Sequence, residues 1–257
     1  VQANRRKKKK RAASRPKRKV QAGPRRLLWR AGLIVLALGL CFVAWNLLWP
    51  PVGRLAERNP RTSAFMQAQK ERWAQEGSSR RLKWRFVPLE RISPYLQQAV
   101  LIAEDDKFYS HDGFDYDMMA QAVERNLEAG RIRYGASTIT QQLAKNLYLT
   151  PSRNPIRKLR EAIITWRLEH ALSKKRILEL YLNVVEWGPG VFGAEAAARY
   201  HFGVAAADLS PQQAARLAAV LPNPDAWNPR AERGYVAKRW RQIYRVMQKR
   251  GLGKIWR

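Results

Sequence analysis

The chain has 257 residues, 46 % of them hydrophobic, and carries 49 Lys and Arg against 20 Asp and Glu, a formal net charge of +29. The apolar content excludes a wholly disordered chain, and the length supports one good core with room for a small second lobe. A single cysteine, Cys41, excludes an intrachain disulfide and a cysteine-built zinc site, and three histidines (His111, His170, His201) leave little for a histidine-rich metal centre.

Residues 1–30 hold fourteen Lys and Arg and no acid. A basic tail alone points to nucleic acid, but the next segment points elsewhere. Ala31 to Trp49 is a run of nineteen residues without a charge. As a helix it spans roughly 28 Å, close to the hydrocarbon thickness of a bilayer. Trp29, Trp45 and Trp49 lie near its ends, where interfacial aromatics belong. The run is long for a cleavable signal peptide, and Trp-Pro-Pro follows it instead of a small-residue cleavage site. The expected arrangement is therefore an uncleaved anchor, with the basic tail kept in the cytoplasm beside anionic headgroups and the chain from Pro50 onward outside. Cys41 falls within the anchor as a packing residue.

Pro50 and Pro51 end the anchor. Residues 52–80 are polar, with Thr62 and Ser63 placed to cap a short helix carrying Phe65, Met66 and Trp73, and Glu76 to Ser79 reads as a loop. Lys83 to Val87 alternates as one short strand. Thereafter the periodicity is helical. Ser93-Pro94, Asn154-Pro155 and Ser210-Pro211 each place a capping residue before a first-turn proline. Helices are expected near 94–106, 115–129, 137–148, 155–171, 174–185, 190–201, 211–220 and 231–249, with Gly130 and Gly251 as stops. The expected organisation is a cytoplasmic basic tail (1–30), a transmembrane helix (31–49), a membrane-proximal linker (50–81) and a mainly α domain (82–257).

Three stretches carry chemistry. In Gly135 to Asn146, with Ser137 as the expected cap, Thr138, Gln141, Gln142 and Lys145 share one helix face and Ile139, Leu143 and Leu147 the other. Hydrogen-bonding groups beside a glycine-preceded helix start suit an anion or a sugar; an ordinary polar face is the alternative. In Ala103 to Gly113, Glu104 follows an apolar helix, and partial burial raises a carboxylate's pKa toward that of a general base; a solvated acidic helix end is the alternative. In Arg157 to Glu161, both Arg157 and Lys158 are spaced to reach Glu161, as surface ion pairs or as a phosphate site.

Together these stretches resemble glycosyltransferase family 51, the peptidoglycan glycosyltransferases. Glu-Asp-x-x-Phe-x-x-His-x-Gly stands at Glu104 to Gly113, Gly-x-Ser-Thr-Ile-Thr-Gln-Gln-x-x-Lys-Asn at Gly135 to Asn146, and Arg-Lys-x-x-Glu at Arg157 to Glu161. Arg176 to Asn183, Gly193 to Phe202 and Leu221 to Pro229 continue the likeness in family order.

The resemblance implies a lysozyme-like, two-lobed helical domain that polymerises lipid II, joining disaccharides carried on undecaprenyl pyrophosphate. It implies Glu104 as the base on the acceptor 4-hydroxyl, attack with inversion to a β-1,4 link, and Glu161 at the donor site, directly or through a metal. Lys145, Arg157 and Lys158 would hold phosphate. Ser137, Thr138, Gln141, Gln142 and Asn146 would orient sugar or phosphate, and Asp105, Phe108 and His111 would shape the cleft. Glu179, Tyr181 and Asn183 would be scaffold. Mg²⁺ or another divalent cation is compatible with a pyrophosphate leaving group, and no organic cofactor is implied.

The implied partners are lipid II, the growing lipid-linked glycan, membrane lipids and other cell-wall synthesis or division proteins, with no nucleic acid. The implied location is the inner membrane, single-pass, with the domain in the periplasm. A lytic transglycosylase or lysozyme-like enzyme is the rival, but it has no need of the Lys145, Arg157 and Lys158 cations. A basic nucleic-acid-binding module would place its motifs with the tail. No Lys-Thr-Gly occurs, and only 28 residues follow Pro229, so the expectation is a transglycosylase without a transpeptidase domain.

Overall fold

The computed structural model describes residues 24–131, 135–151 and 154–252. The first 23 residues of the predicted basic tail lie outside the described residues. The chain divides between Ala44 and Trp45 into two compact units.

Helix α1 runs Pro24–Leu48. It starts earlier than the uncharged run because proline is tolerated in a first helical turn and arginine is a good helix former. Leu28–Trp45 is long and apolar enough to cross a membrane, and none of that stretch is buried.

In the second unit α2 (Ala64–Gln75) is capped by Ser63, whose hydroxyl accepts from the Met66 N–H at 3.1 Å. Strand β1 (Lys83–Trp84) is shorter than its alternation predicts. Then come α3 (Pro94–Glu104), α4 (Tyr116–Glu128), α5 (Ile139–Tyr148), α6 (Pro155–Ala171) and α7 (Lys174–Val184). Strands β2 (Glu186–Gly188) and β3 (Val191–Phe192) precede α8 (Ala194–Phe202), α9 (Pro211–Val220) and α10 (Gly234–Lys249).

Asn154 and Ser210 cap as the sequence indicates. Ser93 does not: its hydroxyl donates to the Leu209 carbonyl at 3.0 Å and ties the start of α3 to the approach of α9. Gly130 and Gly251 stop their helices with positive φ.

The helix expected over 190–201 begins only at Ala194. Before it, β3 pairs in parallel with β1 (Lys83 with Val191, Trp84 with Phe192) and antiparallel with β2, in the order β1-β3-β2. Gly193 explains the delay. Its φ is +79°, and a Cβ there would lie 2.7 Å from the Asn183 carbonyl oxygen. Asn183 ties this corner together. Its amide bonds the Val87 N–H and carbonyl, both at 2.9 Å, and the Glu179 carbonyl at 2.8 Å, while its own carbonyl accepts the Trp84 indole N–H at 2.8 Å.

Two helical groups make the core. In one, α9 packs on both α3 and α10, through the small face of Ala214, Ala215 and Ala218 and through Trp240, Ile243 and Met247. In the other, α5 packs on α6, α7 and α2. The end of α3 lies at the seam between the groups.

Candidate active site

Glu104 is the last residue of α3, and its side chain is only 12 % exposed. Each carboxylate oxygen faces a donor from a different group: Gln142 Nε2 of α5 reaches Oε2 at 2.9 Å, and Arg239 Nη2 of α10 reaches Oε1 at 3.1 Å. The same Arg239 nitrogen also donates to the Ala103 carbonyl at 3.2 Å. The Tyr181 hydroxyl of α7 donates to Gln142 Oε1 at 3.0 Å, which turns the amide nitrogen toward Glu104. Burial pushes the Glu104 carboxyl above its ordinary pKa, opposed by Gln142, Arg239 and Lys145. Burial also holds the Tyr181 phenol well above its usual range, so it stays a donor.

Asp105 and His111 fix the turn after Glu104. Asp105 Oδ2 accepts the Ile139 N–H at the start of α5 at 2.9 Å, and Oδ1 meets His111 Nε2 at 2.9 Å. His111 Nδ1 accepts from the Gly113 N–H at 3.1 Å, so Nε2 carries the hydrogen donated to Asp105. Thr138 Oγ1 closes the loop on the Gly113 carbonyl at 2.7 Å. Gly113 has φ +90°, and a Cβ there would lie 2.9 Å from Thr165 and Glu169 of α6. Phe108 is fully buried beneath the Lys174 ammonium, 4.6 Å from its ring centroid.

The cation cluster lies on α5 and α6. Glu161 Oε2 takes Arg157 Nη1 at 3.1 Å, and Oε1 takes the Lys158 ammonium. Lys145 donates no hydrogen bond among the described residues; its ammonium stands 5.7 Å from the Phe65 ring centroid of α2. Burial lowers its pKa, Glu161 and Glu104 oppose this, and Arg157 and Lys158 add to it. Lys145 thus sits in the fields of both carboxylates.

A divalent cation on Glu161 would have to share the carboxylate with Arg157 and Lys158, which already take both oxygens. No group of three or more His, Cys, Asp or Glu side chains able to hold a metal gathers among the described residues. This donor set does not fit a resident metal site.

The predicted stripe divides in two. Gln142 and Lys145 reach the site, whereas Thr138 and Gln141 are buried in a reciprocal capping box. Thr138 is the cap of α5, one residue beyond the expected Ser137, whose carbonyl lies 3.4 Å from Gln142 Nε2. Asn146 is buried on α5. The sequence reading omitted Arg239 and gave Tyr181 no part in aligning Gln142. Arg239 stands 135 residues from Glu104 in a helix with several other cations, so no local signal singles it out.

Fold and site define a class: a helical domain, behind an N-terminal helix suited to a membrane anchor, with a buried glutamate near a cluster of cations. The family described as Transglycosylase matches residues 70–248, and the chain belongs to it. It is 48 % identical over 218 residues to a protein of Methylobacillus flagellatus named biosynthetic peptidoglycan transglycosylase, covering 83 % of this chain and 93 % of that protein. Proteins of the same name match in Nitrosospira multiformis (45 % identity; 85 % of this chain, 94 % of that one) and Dechloromonas aromatica (51 %; 75 % and 82 %).

Proposed function

We propose that this protein is a peptidoglycan glycan polymerase that transfers a growing, lipid-pyrophosphate-linked chain to the 4-hydroxyl of lipid II. The observation that carries the reading is the setting of Glu104, buried and bonded through both oxygens by donors. Burial raises its pKa toward that of a general base, and the donors oppose the rise and aim the carboxyl. A glycan-cleaving enzyme would use such a carboxyl as an acid for a poor alkoxide leaving group, but it has no use for the Lys145, Arg157 and Lys158 cations beside it.

Glu104 takes the acceptor hydroxyl proton as that oxygen attacks the donor's anomeric carbon from the face opposite the pyrophosphate. The bond to the pyrophosphate oxygen breaks, the configuration inverts and a β-1,4 link forms. Lys145, Arg157 and Lys158 take up the charge on the leaving phosphate, and Glu161 holds the last two in place. Gln142, with Tyr181 and Arg239 behind it, aims Glu104. Asp105, His111 and Thr138 fix the turn that presents it, Gln141 completes the cap of α5, Phe108 walls the cleft, and Ser137 and Asn146 line the approach to the sugar.

The anchor would lie in the inner membrane, with the basic tail cytoplasmic and the domain periplasmic. Lipid contact is supported by exposed Tyr116, Met119, Val123 and Leu127 along one face of α4, and by exposed Ile156, Leu159 and Trp166 on α6. Other cell-wall synthesis or division proteins would share that surface of the membrane.

The test is polymerisation of labelled lipid II by detergent-purified protein beside Glu104→Gln. Lysozyme-sensitive polymer from the parent alone supports the reading. Release of fragments from finished peptidoglycan without polymer would move the protein to the lytic class.

A further inference from the structure

We propose that a second anion site, on α2 and the segment leading into β1, holds the carboxylate-bearing peptide arms of the growing glycan. This rests on the polymerase reading and extends it beyond the reacting sugars.

Arg61, Lys70, Arg80 and Arg81 line one cavity of about 430 Å³ with an apolar floor that includes Met66 and Trp84. The size falls in the range of small-ligand pockets. None of the four cations makes an ion pair with a carboxylate among the described residues. The contrast on the same helix is Arg72, which stands 3.5 Å from an Asp225 oxygen. The nearby acids, Glu71 of α2 and Glu76 just after it, form no ion pair with any of the four and do not line the cavity. Four cations around one concavity without a counter-charge make a local positive field that an oligoanion relieves.

The floor narrows the class of anion. Met66 is fully buried, and Trp84 is held by its indole bond to the Asn183 carbonyl at 2.8 Å. A fixed apolar floor under a cationic rim suits a short, partly apolar chain bearing several carboxylates better than a free phosphate, which would engage only the rim. Peptidoglycan carries such peptides on its sugars.

Position narrows the source. Phe65, adjacent to Met66 on α2, lies against Lys145. The cavity therefore lies one helix face away from the candidate donor phosphate site.

The experiment uses the full chain in detergent micelles at low ionic strength. Fluorescence anisotropy reads binding of three labelled tetrasaccharides of uncross-linked peptidoglycan: with free-carboxylate peptides, with those carboxyls amidated, and without peptides. The proteins are the parent, Arg80→Gln/Arg81→Gln and, separately, Arg61→Gln/Lys70→Gln, with melting curves as a folding control.

The expected result is about tenfold tighter binding by the parent of the carboxylate form than of the amidated form, the worth of several partly exposed ion pairs. Both double variants should lose that preference while keeping the parental melting curve. Equal binding of the free and amidated forms by the parent overturns the proposal, as does a preference retained in both variants. Loss of binding to phosphatidylglycerol vesicles with tetrasaccharide binding unchanged overturns it in favour of a lipid contact. Polymer from the parent without a carboxylate preference sinks this site alone; no polymer from the parent sinks the polymerase reading.

Discussion

Glu104 and Glu161 are both withdrawn from solvent, with side chains 12 % and 4 % exposed, yet their surroundings are built in opposite ways. Glu161 is held by residues three and four positions before it on its own helix. Glu104 is held by residues 38 and 135 positions away, on two helices from different packing groups. The first environment forms wherever α6 forms. The second exists only when the two groups are docked. A carboxylate that must be aimed is placed by tertiary structure, whereas one that gathers positive charge needs only helical spacing.

The strongest test of this contrast is Glu104→Gln. It should lower polymerisation by about 10²–10⁴-fold, the worth of a general base, with an unchanged melting temperature; parental turnover would remove Glu104 from that role. Lys145→Ala should cost about 10²-fold in turnover through lost stabilisation of the leaving phosphate. A Lys145→Ala protein as fast as the parent would leave the cation cluster a structural feature.

Arg239→Gln separates aiming from chemistry. Burial raises the Glu104 pKa and Arg239 opposes it. Without the cation the pKa rises further, so the acidic limb of the rate profile should move to higher pH, with the alkaline plateau within a few-fold of the parent. An unmoved limb would assign Arg239 to packing alone. Linkage has the same sign: a carboxyl raised in the folded state favours folding when protonated, and that contribution is lost as pH climbs from the unfolded toward the folded pKa.

The smallest expected effect is on stability. Thr138→Ala removes the cap of α5 and the bond to Gly113, and should cost about 1–2 kcal/mol in denaturant unfolding, with a loss of activity per folded molecule far smaller than that of Glu104→Gln because Asp105 and His111 still hold the turn. A large loss of turnover at full stability would place Thr138 in contact with substrate.

Local pattern carried most of the helices, because Asn154 and Ser210 before their prolines are signals read within a few residues. It also marked Glu104, Lys145 and the Arg157–Lys158–Glu161 cluster. What it missed depends on distant neighbours. The two-residue β3 has too few positions to show alternation, and it exists because β1, more than 100 residues earlier, pairs with it. Spacing put Gln141 and Gln142 on one polar face. The structure separates them because the capping box takes Gln141, and Tyr181 and Glu104 take Gln142. Arg239 is one of several cations on α10 until that helix meets the end of α3.

Gly190 gives α2 the character of a lever. A Cβ at this residue would lie 2.1 Å from the indole of Trp73, so the bare backbone is the notch in which that end of α2 rests. Phe65, eight residues earlier and about 12 Å along the helix axis, rests on Lys145. Any side chain at position 190 would lift the Trp73 end, and the movement would be delivered at the other end as a change in the cover over the lysine. A glycine with no chemistry of its own thereby seats the helix whose other end covers Lys145.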